Sequence, residues 1–380
     1  MAYTLTVYLL FCANLWRAIH TTRMASPDSI HYFGRALILA GYSREDAFAL
    51  ANGMSQMYGW DHISIYWLVD WNLVRPRVMF PLLASPLVAA QGWFGLILAG
   101  ICVGLVLFAL MAAVLRWRYG AGPALFAMLA VFGAQSWFYY AVAPLTEGLS
   151  ALLLALGLGA VWLYRRSKSR GRWLWLAAAG LAMAAFAFTR QAQLIPAGAL
   201  FAAWLGEWAR TRRARNSYLA PAGVVVGVCA ATQLWQMLAF PFDQLSQMRS
   251  RMGGATAWET VAAAPRRLAY TIWVDLQTAA KTDPGLVFAM VLTLAALFVA
   301  WRRVEAHLAL GALAGGLVYQ AVNGSTRLEF RYFEPGLFIY ALALAALAAQ
   351  LGSRLAARPP ARAQGGLAAV SDKVAPCTGA

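Results

Sequence analysis

Apolar residues run through this chain in long blocks separated by short polar stretches, the pattern of membrane-spanning helices rather than of half-buried helices or alternating strands. An opening block covers 2–16, and nine more follow at 92–115, 123–143, 148–164, 173–188, 194–208, 219–240, 285–301, 308–322 and 335–351. The expected fold is therefore all-α, a polytopic bundle of about ten transmembrane helices forming one domain over 1–352. The opening block lacks a basic leader and runs into Arg17, so it reads as a retained helix rather than a cleaved signal. From Arg354 onward the chain is Pro, Ala, Gly and Arg without hydrophobic period, and 353–380 reads as a disordered cytoplasmic tail.

The exception to the rhythm is 17–91, a long polar and aromatic loop on the side away from the cytoplasm. Gly41 ends one helical stretch, and Ser43-Arg44-Glu45-Asp46 offers a cap for the next. There Ala47, Leu50, Ala51 and Met54 recur on one face, the spacing of a helix lying along the membrane surface. Asp61, His62 and Asp70 sit among aromatics suited to headgroup depth. Arg75-Pro76-Arg77 leads into Met79-Phe80-Pro81, which reads as an irregular entry to the next span.

Composition agrees with a membrane chain: 61% of the 380 residues are apolar and only 12% are charged. The net charge of +16 would suit a nucleic-acid partner if it were spread over one face. Instead the basic residues cluster in alternate connections, around Arg116, Arg165, Arg210 and Arg302, where they set orientation. Nucleic acid is thereby excluded as a partner, membrane lipids are expected, and both termini are placed in the cytoplasm. Of fifteen acidic residues, only Glu207, Glu305 and Asp372 fall on that side. Topology does not require such a bias, but a polar site on the opposite face would. Cys12, Cys102, Cys229 and Cys377 stand singly, without metal-ligand spacing, and no phosphate loop, HExxH or GxSxG is present.

Four polar islands on the far side lie at edges of apolar spans, where ionisable groups are costly to hold and are functional candidates. They are Asp28 with His31; Thr146-Glu147 after Tyr139-Tyr140; Thr189-Arg190-Gln191; and Arg327-Leu328-Glu329-Phe330-Arg331-Tyr332-Phe333-Glu334-Pro335. Each has a plainer reading. Asp28 could cap a helix, Glu147 could favour a helix start, Arg190 could snorkel, and the arginines of the last island could brace the loop by salt bridges. Against that, Arg327 and Arg331 can present several donors to a phosphate while Glu329 and Glu334 orient them.

These residues carry a likeness. An early Asp28 in a long outer loop, an Arg-Pro segment leading to Phe80-Pro81-Leu82-Leu83, Tyr140 and Glu147, Thr189-Arg190, and Arg331-Tyr332 with Pro335 before the last span together resemble the integral-membrane GT-C glycosyltransferases. Within these the chain most resembles the branch of glycosylphosphatidylinositol mannosyltransferases and their bacterial relatives. The resemblance implies a multi-pass protein of the plasma (bacterial inner) membrane that moves mannose or a similar hexose or pentose. The donor would be a polyprenyl-phosphate sugar and the acceptor a hydroxyl of a lipid or glycan on the outer face. Asp28 would be the catalytic residue, Arg190, Arg327, Arg331 and Tyr332 would hold the donor phosphate, and His31, Asp61, Glu147, Glu329 and Glu334 would support them. Many relatives pair two acidic residues in the first loop, whereas Asp28 is followed by Ser29 and Ile30. No cofactor is therefore assigned, a divalent cation is left open, and no metal-ligating residues are named. A transporter or lipid flippase would also have about ten helices and buried polar residues, but no repeated halves are found and the charges gather at one face.

Overall fold

The computed structural model describes residues 2–21, 24–60, 64, 68, 70–72, 74–241, 243, 246, 249, 253–323 and 330–356. Among them the chain is helical without strands. Its helices are α1 (Ala2–Thr21), α2 (Pro27–Leu39), α3 (Arg44–Met57), α4 (Met79–Tyr119), α5 (Ala121–Gly133), α6 (Gln135–Val142) and α7 (Thr146–Arg166). They continue as α8 (Arg172–Ala187), α9 (Leu194–Thr211), α10 (Leu219–Ala239), α11 (Ala257–Thr282), α12 (Pro284–Val299) and α13 (Val304–Asn323), then a 3-10 turn (Arg331–Gly336) and α14 (Leu337–Ala356). Among the described residues five helices are long and apolar enough to cross a membrane, namely α1, α4, α7, α10 and α14 with its leading turn, and α5 with α6 makes a sixth if the pair is one span.

Local chemistry sets these boundaries. Gly41 at φ +99° closes the turn after α2. Ser43 then caps α3 by accepting the Asp46 N–H at 3.0 Å. Ala47, Ala51 and Ser55 form the buried face of α3, while Leu50, expected on that face, is exposed. Helix α4 begins at Met79, well before the span read at 92–115, because Pro81 occupies the first turn, where a missing N–H costs nothing. The two parts of α4 join at Gly92, whose φ of +55° breaks the helix there. The expected 123–143 span bends by 83° between α5 and α6. Helix α2 does not lie free on a surface; its residues from Ser29 to Phe33 are buried in the bundle.

Apolar packing inside lipid gains little from water exclusion, so close backbone approach matters more. The α9–α13 pair shows it: a side-chain carbon on Gly311 would lie 2.1 Å from the Gly198 carbonyl oxygen, and one on Gly315 would lie 2.2 Å from that of Leu194. Gly311→Val is accordingly expected to push the two helices apart and lower the melting temperature in detergent by several degrees. Gly223→Val in α10, where such a carbon meets nothing within 4 Å, serves as the control. Equal melting of the two variants would count against this packing.

Polar contacts mark two ends of the bundle. At one, Arg116 donates to Thr4 at 3.2 Å, Arg118 pairs with Glu305, Arg165 donates to Ser217 at 3.0 Å and Arg303 to Gln350 at 3.3 Å. These contacts gather the arginine-bearing connections that the sequence places together. The other end holds Asp28, Glu147, Arg190 and Arg331.

Candidate functional site

The site is built from helix starts and the turns facing them. Ser26 precedes α2 in extended conformation and its N–H donates to Ser29 at 3.1 Å, so Ser29 carries that capping contact and the Asp28 carboxylate is directed elsewhere. Leu145 is extended and places Thr146 and Glu147 in the first turn of α7, where a negative charge meets the positive helix end. Arg190 follows α8 in a turn closed by its own N–H to the Phe186 carbonyl at 2.9 Å. The Met79 N–H reaches the Phe188 carbonyl at 3.2 Å, fixing the start of α4, and hence Arg77, against that turn. Arg331 comes directly after Phe330, a non-glycine residue held at φ +57°.

These segments converge on the Glu147 carboxylate, which is fully buried. Arg190 Nη1 lies 2.8 Å from Glu147 Oε1, and Arg331 Nε bonds to the same oxygen. Arg331 reaches on through Nη1 to Asp28 Oδ2 at 2.9 Å, and its guanidinium lies 5.3 Å from the Tyr140 ring centre. Arg190 also donates to Thr146 Oγ1 at 3.2 Å and lies over the rings of Tyr319 and Tyr332 at 5.8 and 5.6 Å. Cation–π contacts of this kind hold a guanidinium plane in place without consuming its donors.

Arg77 completes the cluster and was passed over in the sequence, where it reads as part of an irregular helix entry. It is buried, donates to Tyr32 Oη at 3.2 Å and to Gln191 Oε1 at 3.4 Å, and makes no ion pair among the described residues. Tyr32 Oη in turn lies 3.4 Å from Thr146 Oγ1. Arg35 secures the segment by donating to the carbonyls of Val74 at 2.5 Å and Arg75 at 2.6 Å. The usable signals are Pro76, which fixes a turn, and an arginine just before a deeply apolar helix start.

The layout decides which plainer readings survive. Asp28 is bound to Arg331 rather than serving as a cap, and the Arg190 side chain, 3% exposed, does not snorkel. Tyr332 forms part of the aromatic bed beneath Arg190. His31 lies one turn from Asp28, its ring 5.5 Å from that of Trp71. Glu334 departs from its expected orienting role: neither of its fully buried oxygens has a hydrogen-bond partner among the described residues, and Arg331 is oriented by Asp28 and Glu147 instead. Asp61, Arg327 and Glu329 lie outside the described residues.

Glu334 is fully buried with neither oxygen hydrogen-bonded among the described residues, a setting in which an isolated charge is too costly to hold, so it counts as neutral. Three guanidinium groups then face two charged carboxylates, and the cluster carries one positive charge in excess. Glu147 lies at its floor and Asp28, with a side chain 47% exposed, at its rim. Partial desolvation against the cluster pushes the Asp28 carboxyl up, but Arg331, with His31 and Arg77, outweighs it and holds the group below its ordinary value. No group of three His, Cys, Asp or Glu side chains able to hold a metal occurs among the described residues, and a guanidinium occupies the space between the two carboxylates. The arrangement suits an anion at the arginines and a proton acceptor beside it. In comparisons with protein-family models, curated proteins and solved structures, the chain has no significant match.

Proposed function

We propose that this chain is a membrane glycosyltransferase of GT-C type, with about ten spans, both termini in the cytoplasm and the Asp28–Arg331 site on the opposite face. Its donor is a polyprenyl-phosphate hexose or pentose such as mannose, and its acceptor is a lipid or glycan hydroxyl. The observation that carries this reading is the buried group of three arginines with an excess positive charge, open at a rim occupied by a carboxylate. A guanidinium fork matches phosphate oxygens bidentately and stays charged at any working pH. Arg331, supported by Arg190 and Arg77, takes the phosphate; the acceptor oxygen bonds to the anomeric carbon as the bond from that carbon to the phosphate oxygen breaks. The acceptor proton passes to Asp28, and the lipid phosphate leaves as an anion, which the arginines stabilise.

Donor binding has a built-in consequence. A phosphate that draws Arg331 away weakens its hold on Asp28, and the carboxylate becomes a stronger base once the donor is in place. The test is a donor titration of wild type, Arg331→Lys and Arg331→Ala in matched membranes. Lysine keeps the charge and loses the fork, so turnover is expected to fall at least tenfold in both variants, with weaker apparent donor affinity. Unchanged kinetics in Arg331→Lys would remove the phosphate role.

A solute transporter is the second reading, and the 83° break between α5 and α6 favours it. Transporters use such breaks to bind substrate. Here the backbone freed at the break is already met by Asp283, which accepts the Ser136 N–H at 2.6 Å and the Leu286 N–H at 3.0 Å. The charged cluster is gathered instead around the start of α7.

A further inference from the structure

A cavity of about 680 Å³ lies at the arginine-rich end of the bundle, away from the site above. Glu147 and Arg165 stand at opposite ends of α7, roughly 27 Å apart at about 1.5 Å per residue. The cavity walls come from the later turns of α4 and α7 and from α8, α9, α13 and α14, with Val114, Leu158, Leu200 and Leu342 among the apolar side chains. The polar groups gather at one mouth: Arg118, Arg165, Glu305 and Tyr218. Trp117 and Trp162 line the same mouth, with rings 4.9 Å apart in edge-to-face contact. Indole rings of this kind settle at headgroup level.

The two arginines are held in place without being used up. Arg118 donates through Nε to Tyr119 Oη at 3.1 Å and through Nη2 to Glu305, while its Nη1 bonds to no protein group among the described residues. Arg165 donates through Nε to Ser217 and through Nη1 to Tyr218, and its guanidinium lies 3.8 Å from the Tyr218 ring centre. Its Nη2 is likewise unbonded among the described residues. Two guanidinium groups against one carboxylate leave the mouth positive, above an apolar interior within the size range of ligand pockets. Basic pockets between transmembrane helices on the positive side suit anionic headgroups.

We propose that this cavity is a binding site for an anionic phospholipid, one acyl chain filling the space between α4, α7 and α8 and the phosphate held by Arg118 and Arg165. Charge complementarity selects the headgroup, and the tryptophans set its depth. The proposal is independent of the transferase reading, since it concerns the other end of the molecule and needs no turnover to test.

Gly159 supplies the decisive variant. It lines the cavity, and a side-chain carbon built on it meets nothing within 4 Å, so the side chain of Gly159→Phe starts from open space and is expected to fill the cavity. The full chain, purified in a neutral detergent, would be titrated with phosphatidylglycerol and with phosphatidylcholine while melting and retained lipid are followed, the latter by native mass spectrometry. Wild type is expected to retain phosphatidylglycerol and to melt higher with it than with phosphatidylcholine. Gly159→Phe should weaken phosphatidylglycerol retention at least tenfold, and Arg165→Gln, an exposed change that leaves the cavity open, should erase the preference between the lipids. Equal retention of the two lipids by wild type, or an undiminished phosphatidylglycerol effect in Gly159→Phe, would overturn the proposal. Should Gly159→Phe not fold, Gly159→Leu and Arg165→Gln give the same two readouts.

Discussion

Replacing Glu147 with alanine is expected to destabilise the protein by about 3 to 5 kcal/mol, the range for removing one partner of a buried ion pair. The carboxylate is fully buried and serves two arginines from a single oxygen. Without it, Arg190 retains Thr146 and its aromatic neighbours among the described residues, and Arg331 retains Asp28 at the rim. The excess charge of the cluster then rises from one to two in a setting that water reaches poorly. Glu147→Gln should lie between, because its amide oxygen still accepts a hydrogen bond while its NH₂ faces a guanidinium. Thermal unfolding in mild detergent measures both, and adding Arg190→Met to Glu147→Ala should restore part of the loss by removing an unpaired charge. If Glu147→Ala melts with wild type, Glu147 does not organise the site and the buried network is not what holds α7 to the final turn.

The charges that meet in the cluster were legible because each stands at the edge of an apolar run, where holding an ionisable group needs a reason. Asp28, Glu147, Arg190 and Arg331 are of this kind, and the structure brings all four together. Their pairing was not legible, since it depends on which helix ends meet, and nothing local to Thr146-Glu147 indicates that its partners lie after α8 and before α14. Arg77 was missed for a related reason. Arg75 and Arg77 look alike in sequence, and only the staple from Arg35 to the intervening turn decides which of them is buried.

Prolines misled in two ways. Pro81 made the start of α4 look irregular, although it falls in a terminal turn, and a further proline, Pro86, is absorbed within the helix before the Gly92 break. Helix α11 was passed over because Pro265 and the arginines beside it interrupt its apolar face. Its start was nonetheless signalled by Thr256-x-x-Glu259: Thr256 caps it by accepting the Glu259 N–H at 3.2 Å, and Glu259 reaches back one residue further, to the Ala255 N–H, at 2.8 Å. Helix interruption is a statement about one or two hydrogen bonds. Tertiary packing compensates for that loss, and a period read along the chain does not register the compensation.

Asp28→Asn is expected to reduce sugar transfer by about 10² to 10⁴ while leaving insertion and melting close to wild type. The asymmetry with Glu147 follows from position. Asp28 sits at the rim with its side chain 47% exposed, Arg331 keeps its contact with Glu147 when Asp28 is neutralised, and asparagine can still accept a hydrogen bond from Arg331. What asparagine cannot do is take a proton. The pH dependence separates this role from a purely positioning one. Without donor the Asp28 carboxyl is held below its ordinary value, against its partial desolvation, by Arg331, His31 and Arg77. A group depressed in this way stays ionised as pH falls through the usual carboxylate range and is lost only below it, so kcat/KM should remain flat from neutrality through that range, with its acid limb below the ordinary carboxylate value. The pair's contribution to stability follows the same course, full above the ordinary carboxylate value and lost as pH drops through the depressed one. With donor bound, the phosphate competes for Arg331, and the acid limb of kcat should lie at higher pH than that of kcat/KM. Coincident limbs would show that the phosphate does not displace Arg331 from Asp28. Near-normal turnover in Asp28→Asn would remove Asp28 as the proton acceptor and leave the arginine cluster as an anion site in search of another base.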